Sequence, residues 1–302
     1  MSFVKNRVLI TGASGLLGRA IKKAFSAQLQ YWEVLGTAFS RANGDLIKLD
    51  LNQKSEVLKT VQNFKPHVII HCAAERRPDV VEYQAAATYQ LNVEATKTMC
   101  EAAVECSSWL LYISTDYVFD GKEPPYQVDA QPHPLNKYGL SKLQGEEIVK
   151  KNHAEFAILR VPILYGQIEN LEESAVTILW KNIRNAVSCK MSDYERRYPT
   201  HTDDVASVIL AMTERKVKGE NMGGIFHWSG DENMTKYDMA IAMRSVFSLS
   251  PDHIIADKTV CTGAPRPYNA HLSSDRLENM GIKPKRTPFK QGIKAVLQPY
   301  VN

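Results

Sequence analysis

The sequence is poor in the features that define several large protein classes. It holds five cysteines (Cys72, Cys100, Cys106, Cys189 and Cys261), an odd number at irregular spacing with no CxxC pair. That pattern excludes a disulfide scaffold, and reduced thiols in a cytoplasmic setting are the expectation. No apolar run approaches the roughly 18 residues of a membrane-spanning helix. The chain opens Met1-Ser2-Phe3-Val4-Lys5 and passes straight into a strand-like segment, so no signal peptide is expected. Without secretion, the sequon Asn233-Met234-Thr235 is an accident of composition. Neither charge dominates: 37 Lys+Arg against 33 Asp+Glu leaves +4, spread along the chain without the basic stripe that nucleic-acid binding requires. The eight histidines form no HExxH and no ligand-like cluster, and Ser114 has no GxSxG context. Metal binding and a hydrolase nucleophile are both disfavoured. There is no internal repeat and no low-complexity segment.

What remains is an ordinary globular composition, 44% apolar and 23% charged over 302 residues, enough for a large domain with a smaller partner. Through the first 160 residues, short apolar strands alternate with helical periodicity. Strands are predicted at Val8-Leu9-Ile10, Trp32 to Ala38, Leu46 to Leu49, Val68-Ile69-Ile70, Trp109 to Ile113 and Ala157 to Val161. Helices are predicted after Leu16, from about Ala85 to Cys106 and from Asn136 to Lys151. This alternation predicts an α/β fold, a Rossmann-type doubly wound parallel sheet with a smaller C-terminal α/β substrate lobe. After Pro162 the rhythm loosens into helical stretches at Glu172–Arg184, Asp203–Arg215 and Lys236–Phe247, with a strand candidate at Ile225 to Trp228. The division expected is residues 1–162 for the nucleotide domain and 163–302 for the lobe, partly interwoven.

The first strand runs into Thr11-Gly12-Ala13-Ser14-Gly15-Leu16-Leu17-Gly18, with glycines spaced GxxGxxG. Gly12 permits a tight turn, Gly15 lets backbone approach a diphosphate, and Gly18 lets the helix pack on the sheet. With Ser14, Leu16 and Leu17 they form the expected phosphate cradle at a helix N-terminus. A bare glycine-rich turn is the plainer alternative. At the end of the second strand, Phe39-Ser40-Arg41 stands where NAD-specific sites place an acid. A hydroxyl and a guanidinium there favour the 2′-phosphate of NADP(H), with Arg19 as a second candidate partner. The alternative for both arginines is a solvated surface charge. Asp50 and Leu51 would border the adenine. Cys72, Ala73 and Ala74, ending the fourth strand, would wall the cleft, the Cys72 thiol being inert. Asn92 and Arg160 complete the expected cofactor set, Asn92 being equally readable as a satisfied buried amide.

Tyr138-Gly139-Leu140-Ser141-Lys142 gives YxxxK. Residues four apart share a helix face, so a phenol and an ammonium converge, and the ammonium is expected to draw the phenol towards its working range. With 13 tyrosines, about one such pattern is expected by chance. Position adds weight, because Thr115 ends the fifth strand, on the side where doubly wound sheets bind ligands. Thr115, Tyr138 and Lys142 are the expected catalytic set. Thr115 would bond a substrate carbonyl, Tyr138 would donate a proton, and Lys142 would hold the nicotinamide ribose. Arg76, Arg77, His201 and Arg266 are candidates for substrate or partner contact. Their alternatives are surface charges for the arginine pair and a structural role for the histidine.

Glycine turn, strand-end hydroxyl and YxxxK in this order resemble the extended short-chain dehydrogenase/reductases, a resemblance that implies for Asn92, in Leu91-Asn92-Val93, a part in ordering the helix that carries YxxxK. Residues 114–121 (Ser-Thr-Asp-Tyr-Val-Phe-Asp-Gly), the stretch Pro134 to Leu143 and Arg266-Pro267-Tyr268-Asn269 resemble the dTDP-4-dehydrorhamnose reductase branch. Within that branch, His71 to Glu82, Leu171 to Thr177, Tyr198-Pro199-Thr200-His201 and His227-Trp228-Ser229-Gly230 are similar to the regulatory β subunits of methionine adenosyltransferase 2. The narrower resemblance implies an NADP(H)-binding, non-catalytic partner of the subunit that makes S-adenosylmethionine. The broader one implies an NADPH-dependent reductase of a 4-keto-deoxysugar nucleotide; a third reading is a chain that does both, or that activates a related reductase as its partner. Those β subunits carry a basic, aromatic tail that inserts into the catalytic subunit, whereas this sequence stops at Asn302. Docking through such a tail is not expected here.

Overall fold

The computed structural model describes residues 4–184, 187–249, 253–260 and 262–301; residues 1–3 and Cys261, used in the sequence reading, lie outside them. The strands are β1 (Asn6–Thr11), β2 (Trp32–Ala38), β3 (Ile47–Lys48), β4 (Val68–His71), β5 (Trp109–Thr115), β6 (Ala157–Val161), β7 (Leu164–Tyr165), β8 (Cys189–Ser192), β9 (Thr200–His201), β10 (Gly224–His227) and β11 (Ile254–Asp257). The α-helices are α1 (Leu16–Ser26), α2 (Lys54–Phe64), α3 (Pro78–Tyr83), α4 (Ala85–Tyr89), α5 (Ala95–Glu105), α6 (Lys137–Asn152), α7 (Leu179–Arg184), α8 (Thr202–Val217), α9 (Lys236–Val246), α10 (Asp275–Asn279) and α11 (Phe289–Leu297).

Seven strands form one parallel sheet in the order β10-β6-β5-β4-β1-β2-β3. Their near-continuous apolar runs follow from burial on both faces. Alternate residues go to opposite cores. Val8, Ile10, Val68, Ile70, Leu111 and Leu159 face one side, packed under α1 and α8 by Ile21, Phe25, Val205 and Ile209. Leu9, Ile69, Leu110, Tyr112 and Ile158 face the other, covered by Val57 and Val61 of α2, Met99 and Ala103 of α5 and Val149 of α6. Strand order reverses between β1 and β4, which opens a crevice at the carboxyl ends of the strands.

Two features depart from the sequence reading. The helix predicted from Ala85 is interrupted by a π-helical turn at Gln90–Glu94, a local widening common at functional sites. The stretch predicted as helix from Glu172 begins instead as a 3-10 turn, and α-helix starts only at Leu179. The nominal boundary at residue 162 is crossed twice. β10 pairs in parallel with β6 as the edge of the main sheet, and α8 packs on α1. The remainder of the C-terminal half builds its own core around Tyr165, Trp180, Met239, Met243, Phe289 and Ile293, beside the two-stranded β8–β11 sheet. Among the described residues, no helix is long and apolar enough to cross a membrane.

Candidate dinucleotide and substrate cleft

The ends of β1, β2, β4, β5 and β6 open into a cleft of about 690 Å³, the size of a ligand site. Its floor is the glycine turn. Gly12 has φ +64°, and a Cβ there would come within 2.9 Å of the Ala73 Cα; at Gly18 a Cβ would meet the Gly12 carbonyl oxygen at 2.2 Å. The turn therefore accepts only glycine at both positions, and α1 is drawn tight against the sheet. α1 starts without a side-chain cap and without an acid in its first turn, so its amide donors stay open to an anion. Thr11 fixes the opposite wall: its hydroxyl accepts from the amides of Cys72 (3.1 Å) and Ala73 (3.2 Å) and contacts His71 Nδ1 at 2.8 Å. The buried His71 ring also meets the Thr96 hydroxyl at 3.1 Å. Burial, then the Lys142 charge, lower its pKa to about 3, so it is a neutral structural relay.

Most of the expected residues converge here. Gly12, Ser14, Gly15, Leu16, Leu17, Gly18, Phe39, Ser40, Arg41, Asp50, Leu51, Cys72, Ala73, Ala74, Arg76, Thr115, Tyr138 and Lys142 all line the cleft. Thr115 ends β5 and caps a short 3-10 turn by accepting from the Tyr117 amide at 3.2 Å, which points the turn at α6. Asn136 caps α6 through the Gly139 amide (2.8 Å) and donates to the Pro265 carbonyl (2.7 Å). The first turn of α6, with Tyr138, is thereby held between β5 and the 264–267 loop.

The electrostatics differ from expectation. Burial raises the Tyr138 phenol above its ordinary value, against a smaller opposing effect of the Thr115 hydroxyl. Lys142, 3% exposed, lies 4.0 Å over the Tyr112 ring, and burial lowers its pKa to about 7 while Glu146 works the other way. The expected permanent ammonium that pulls the phenol down is replaced by an amine whose charge burial disfavours, on the same helix as a phenol that holds its proton. Burial likewise sets the Cys72 thiol at about 12, consistent with an inert wall residue.

Several expected residues sit elsewhere, each for a visible reason. Arg160 on β6 is 1% exposed and committed to Glu146 (Nη2–Oε2 2.6 Å) beneath the cleft rather than to its surface. Asn92 occupies the π-helical turn, where its side chain brackets Glu75 (2.9 Å from the amide and 3.0 Å to the carbonyl) and donates to Ser141 at 3.1 Å. It is tied to α6 through Ser141 and lies outside the cleft lining. Arg77 turns outward to Glu75 at 2.7 Å, while its neighbour Arg76 enters the cleft. His201 caps α8 through the Asp203 amide and packs edge-on against Tyr165. Arg266 pairs with Asp79 at 2.6 Å, tying its loop to α3 outside the lining. Arg19 lies behind the rim, paired with Glu173 at 2.5 Å.

The sequence reading missed three further residues of the cleft lining. Asp116 and Tyr117 follow Thr115 directly, and Arg197 arrives from the C-terminal half to lie over the Tyr117 ring at 5.7 Å. Burial raises Asp116 to about 6, with Arg197 opposing. Adjacency to a strand-end threonine was a signal for the first two; nothing local marks Arg197.

The family model of the RmlD substrate binding domain matches residues 6–302. The methionine adenosyltransferase 2 subunit beta of Xenopus laevis is 48% identical over 298 residues, 98% of this chain and 88% of that protein, and that of Bos taurus is 47% identical over the same shares. A dTDP-4-dehydrorhamnose reductase of Aggregatibacter actinomycetemcomitans is 33% identical over 92% of this chain and 94% of its own length. Among solved structures, a dTDP-4-dehydrorhamnose reductase from Bacillus anthracis in complex with NADP superposes with TM-score 0.84 at 26% identity, covering 99% of this chain and 100% of that one. Glycine turn, parallel sheet and full-length similarity agree: the chain belongs to the RmlD substrate binding domain family, with the dTDP-4-dehydrorhamnose reductase fold, and is a homologue of the methionine adenosyltransferase 2 β subunits.

Proposed function

We propose that this chain is an NADP(H)-binding regulatory subunit of β type that associates with a methionine adenosyltransferase catalytic subunit in the cytoplasm and supports S-adenosylmethionine synthesis. The observation that carries the reading is the 48% identity sustained across 98% of the chain, against 33% for the reductase relative. The cleft fits the cofactor: the open amides of α1 and the Gly12–Gly18 turn would take the diphosphate. Ser40 and Arg41 would face the adenosine 2′-phosphate, Asp50 and Leu51 the adenine, and Tyr138 and Lys142 the nicotinamide side. When bound, the dinucleotide supplies a hydride-donating nicotinamide. In the regulatory reading these residues bind and orient it, and no turnover is required of them. The test is S-adenosylmethionine synthesis by the catalytic subunit with and without this chain. A changed rate or substrate dependence is expected, and identical kinetics at saturating chain would overturn the reading.

One observation favours a second reading, reduction of a 4-keto-deoxysugar nucleotide: Thr115, Tyr138 and Lys142 share one cleft. There Tyr138, keeping its proton through burial, would donate it to the developing alkoxide while Thr115 bonds the same oxygen. NADPH oxidation on adding dTDP-4-dehydrorhamnose, reduced at least about 100-fold by Tyr138→Phe, is the expected outcome if this activity is present. Absence of turnover in folded, NADPH-loaded protein would remove it.

A further inference from the structure

The arginines assigned to the cofactor are already gripping an anion. Glu173, 7% exposed, projects from the 3-10 turn Leu171–Glu173 of the C-terminal half towards the nucleotide domain. Its carboxylate accepts from Arg19 Nη1 (3.1 Å) and Nη2 (2.5 Å), from Arg41 Nη1 and from the Glu169 amide (2.9 Å). Its main-chain carbonyl accepts from Arg76 Nη2. Arg41 also pairs with the exposed Glu169 at 2.7 Å. Burial pushes the Glu173 carboxyl up, but the Arg19 hydrogen bond, the Glu169 amide and Arg41 outweigh it and hold the pKa at about 2. Glu173 is thus an anion throughout the working pH range.

Charge counting gives the consequence. Glu169 and Glu173 cancel two of the three positive charges of Arg19, Arg41 and Arg76, so the cluster keeps one net positive charge where the arginines alone would offer three. A 2′-phosphate arriving at Arg41 must share that guanidinium with two carboxylates and adds about two negative charges beside them. A 2′-hydroxyl brings no such penalty and gains no such attraction. We propose that Glu173 is a specificity-determining residue of the dinucleotide site, an internal counter-anion that competes with the adenosine 2′-phosphate for Arg41 and so limits the preference for NADP(H) over NAD(H). Because Glu173 belongs to the C-terminal half, the same competition makes the hold of residues 169–173 on the nucleotide domain depend on which dinucleotide is bound.

The inference rests on the cofactor reading above, and the experiment separates the two. NADPH and NADH are titrated separately against the wild-type chain and Glu173→Gln, with thermal unfolding as a check on folding. Removing one carboxylate from Arg41 raises the ratio of NADH to NADPH dissociation constants roughly fivefold, mainly through tighter NADPH binding. A ratio unchanged or lowered by Glu173→Gln overturns the inference while leaving the cofactor reading intact. Wild-type protein that binds neither dinucleotide overturns both. Should Glu173→Gln fail to fold, Glu169→Gln, on an exposed carboxylate contacting the same guanidinium, is expected to shift the ratio in the same direction, and no shift there counts equally against the proposal.

Discussion

Lys142 shows how a motif gains a meaning from its surroundings that spacing cannot supply. YxxxK places a phenol and an amine on one helix face, but the depth of that face decides their protonation. Burial lowers Lys142 to about 7 from the ordinary 10.5, so the folded state disfavours its ammonium. The sign follows from proton counts. Between pH 7 and 10.5 the unfolded chain holds the proton that the folded chain has released, so stability rises with pH across that window and the cost is fully present below it. Urea unfolding should show a rise of a few kcal/mol from this group, as an order of magnitude. In Lys142→Met that rise should disappear, with the gain in stability appearing at pH 6; an unchanged pH profile would contradict the assigned burial. Tyr138 and Thr115 were legible as candidates from order along the chain. The protonation state was not, because it depends on Tyr112, Cys72 and Glu146, which only the fold assembles around the amine.

At the scale of elements, one buried ion pair fastens the site to the sheet. Glu146 lies one helical turn beyond Lys142 on α6 and is fully buried. Its carboxylate accepts from Ser114 of β5 (2.6 Å) and from Arg160 of β6 (Nε 2.8 Å and Nη2 2.6 Å), and Arg160 Nη1 stands 3.3 Å from His227 of β10. Two strands and α6 therefore meet at one carboxylate, and β10 joins them through Arg160. Removing one partner of such a pair leaves an uncompensated charge. Arg160→Met is expected to lose about 3 kcal/mol in thermal or urea unfolding, and adding Glu146→Gln should restore most of it. Equal losses in the single and double variants would show that the pair is not the unit of stability. The sequence reading placed β1, β2, β4, β5, β6, α6 and α8 within a few residues because their apolar periods are strong. It mistook Arg160 for a cofactor ligand because a guanidinium at a strand end reads alike whether it faces phosphate or a buried glutamate.

For the whole molecule, the division near residue 162 is one of chain order more than of space. β10 and α8 return to the nucleotide domain, and Glu173 reaches back to Arg19 and Arg41. The glycine turn and the strand-end threonine were readable because neighbours in sequence build them. Arg197 and Glu173 were not, since Arg197 meets the Tyr117 ring, and Glu173 meets Arg19 and Arg41 across 154 and 132 residues, through contacts distant in the chain of which local patterns carry no trace. The resulting picture is a reductase fold with its dinucleotide cleft intact, in a chain whose similarity runs most strongly to regulatory β subunits. That similarity extends over the lobe as well as the cofactor domain. The most direct test is a binding titration of this 302-residue chain against a methionine adenosyltransferase catalytic subunit, in the presence of NADPH. The account predicts a defined complex with a dissociation constant of about 1 μM or tighter. No association at tens of micromolar, with both proteins folded, would contradict it.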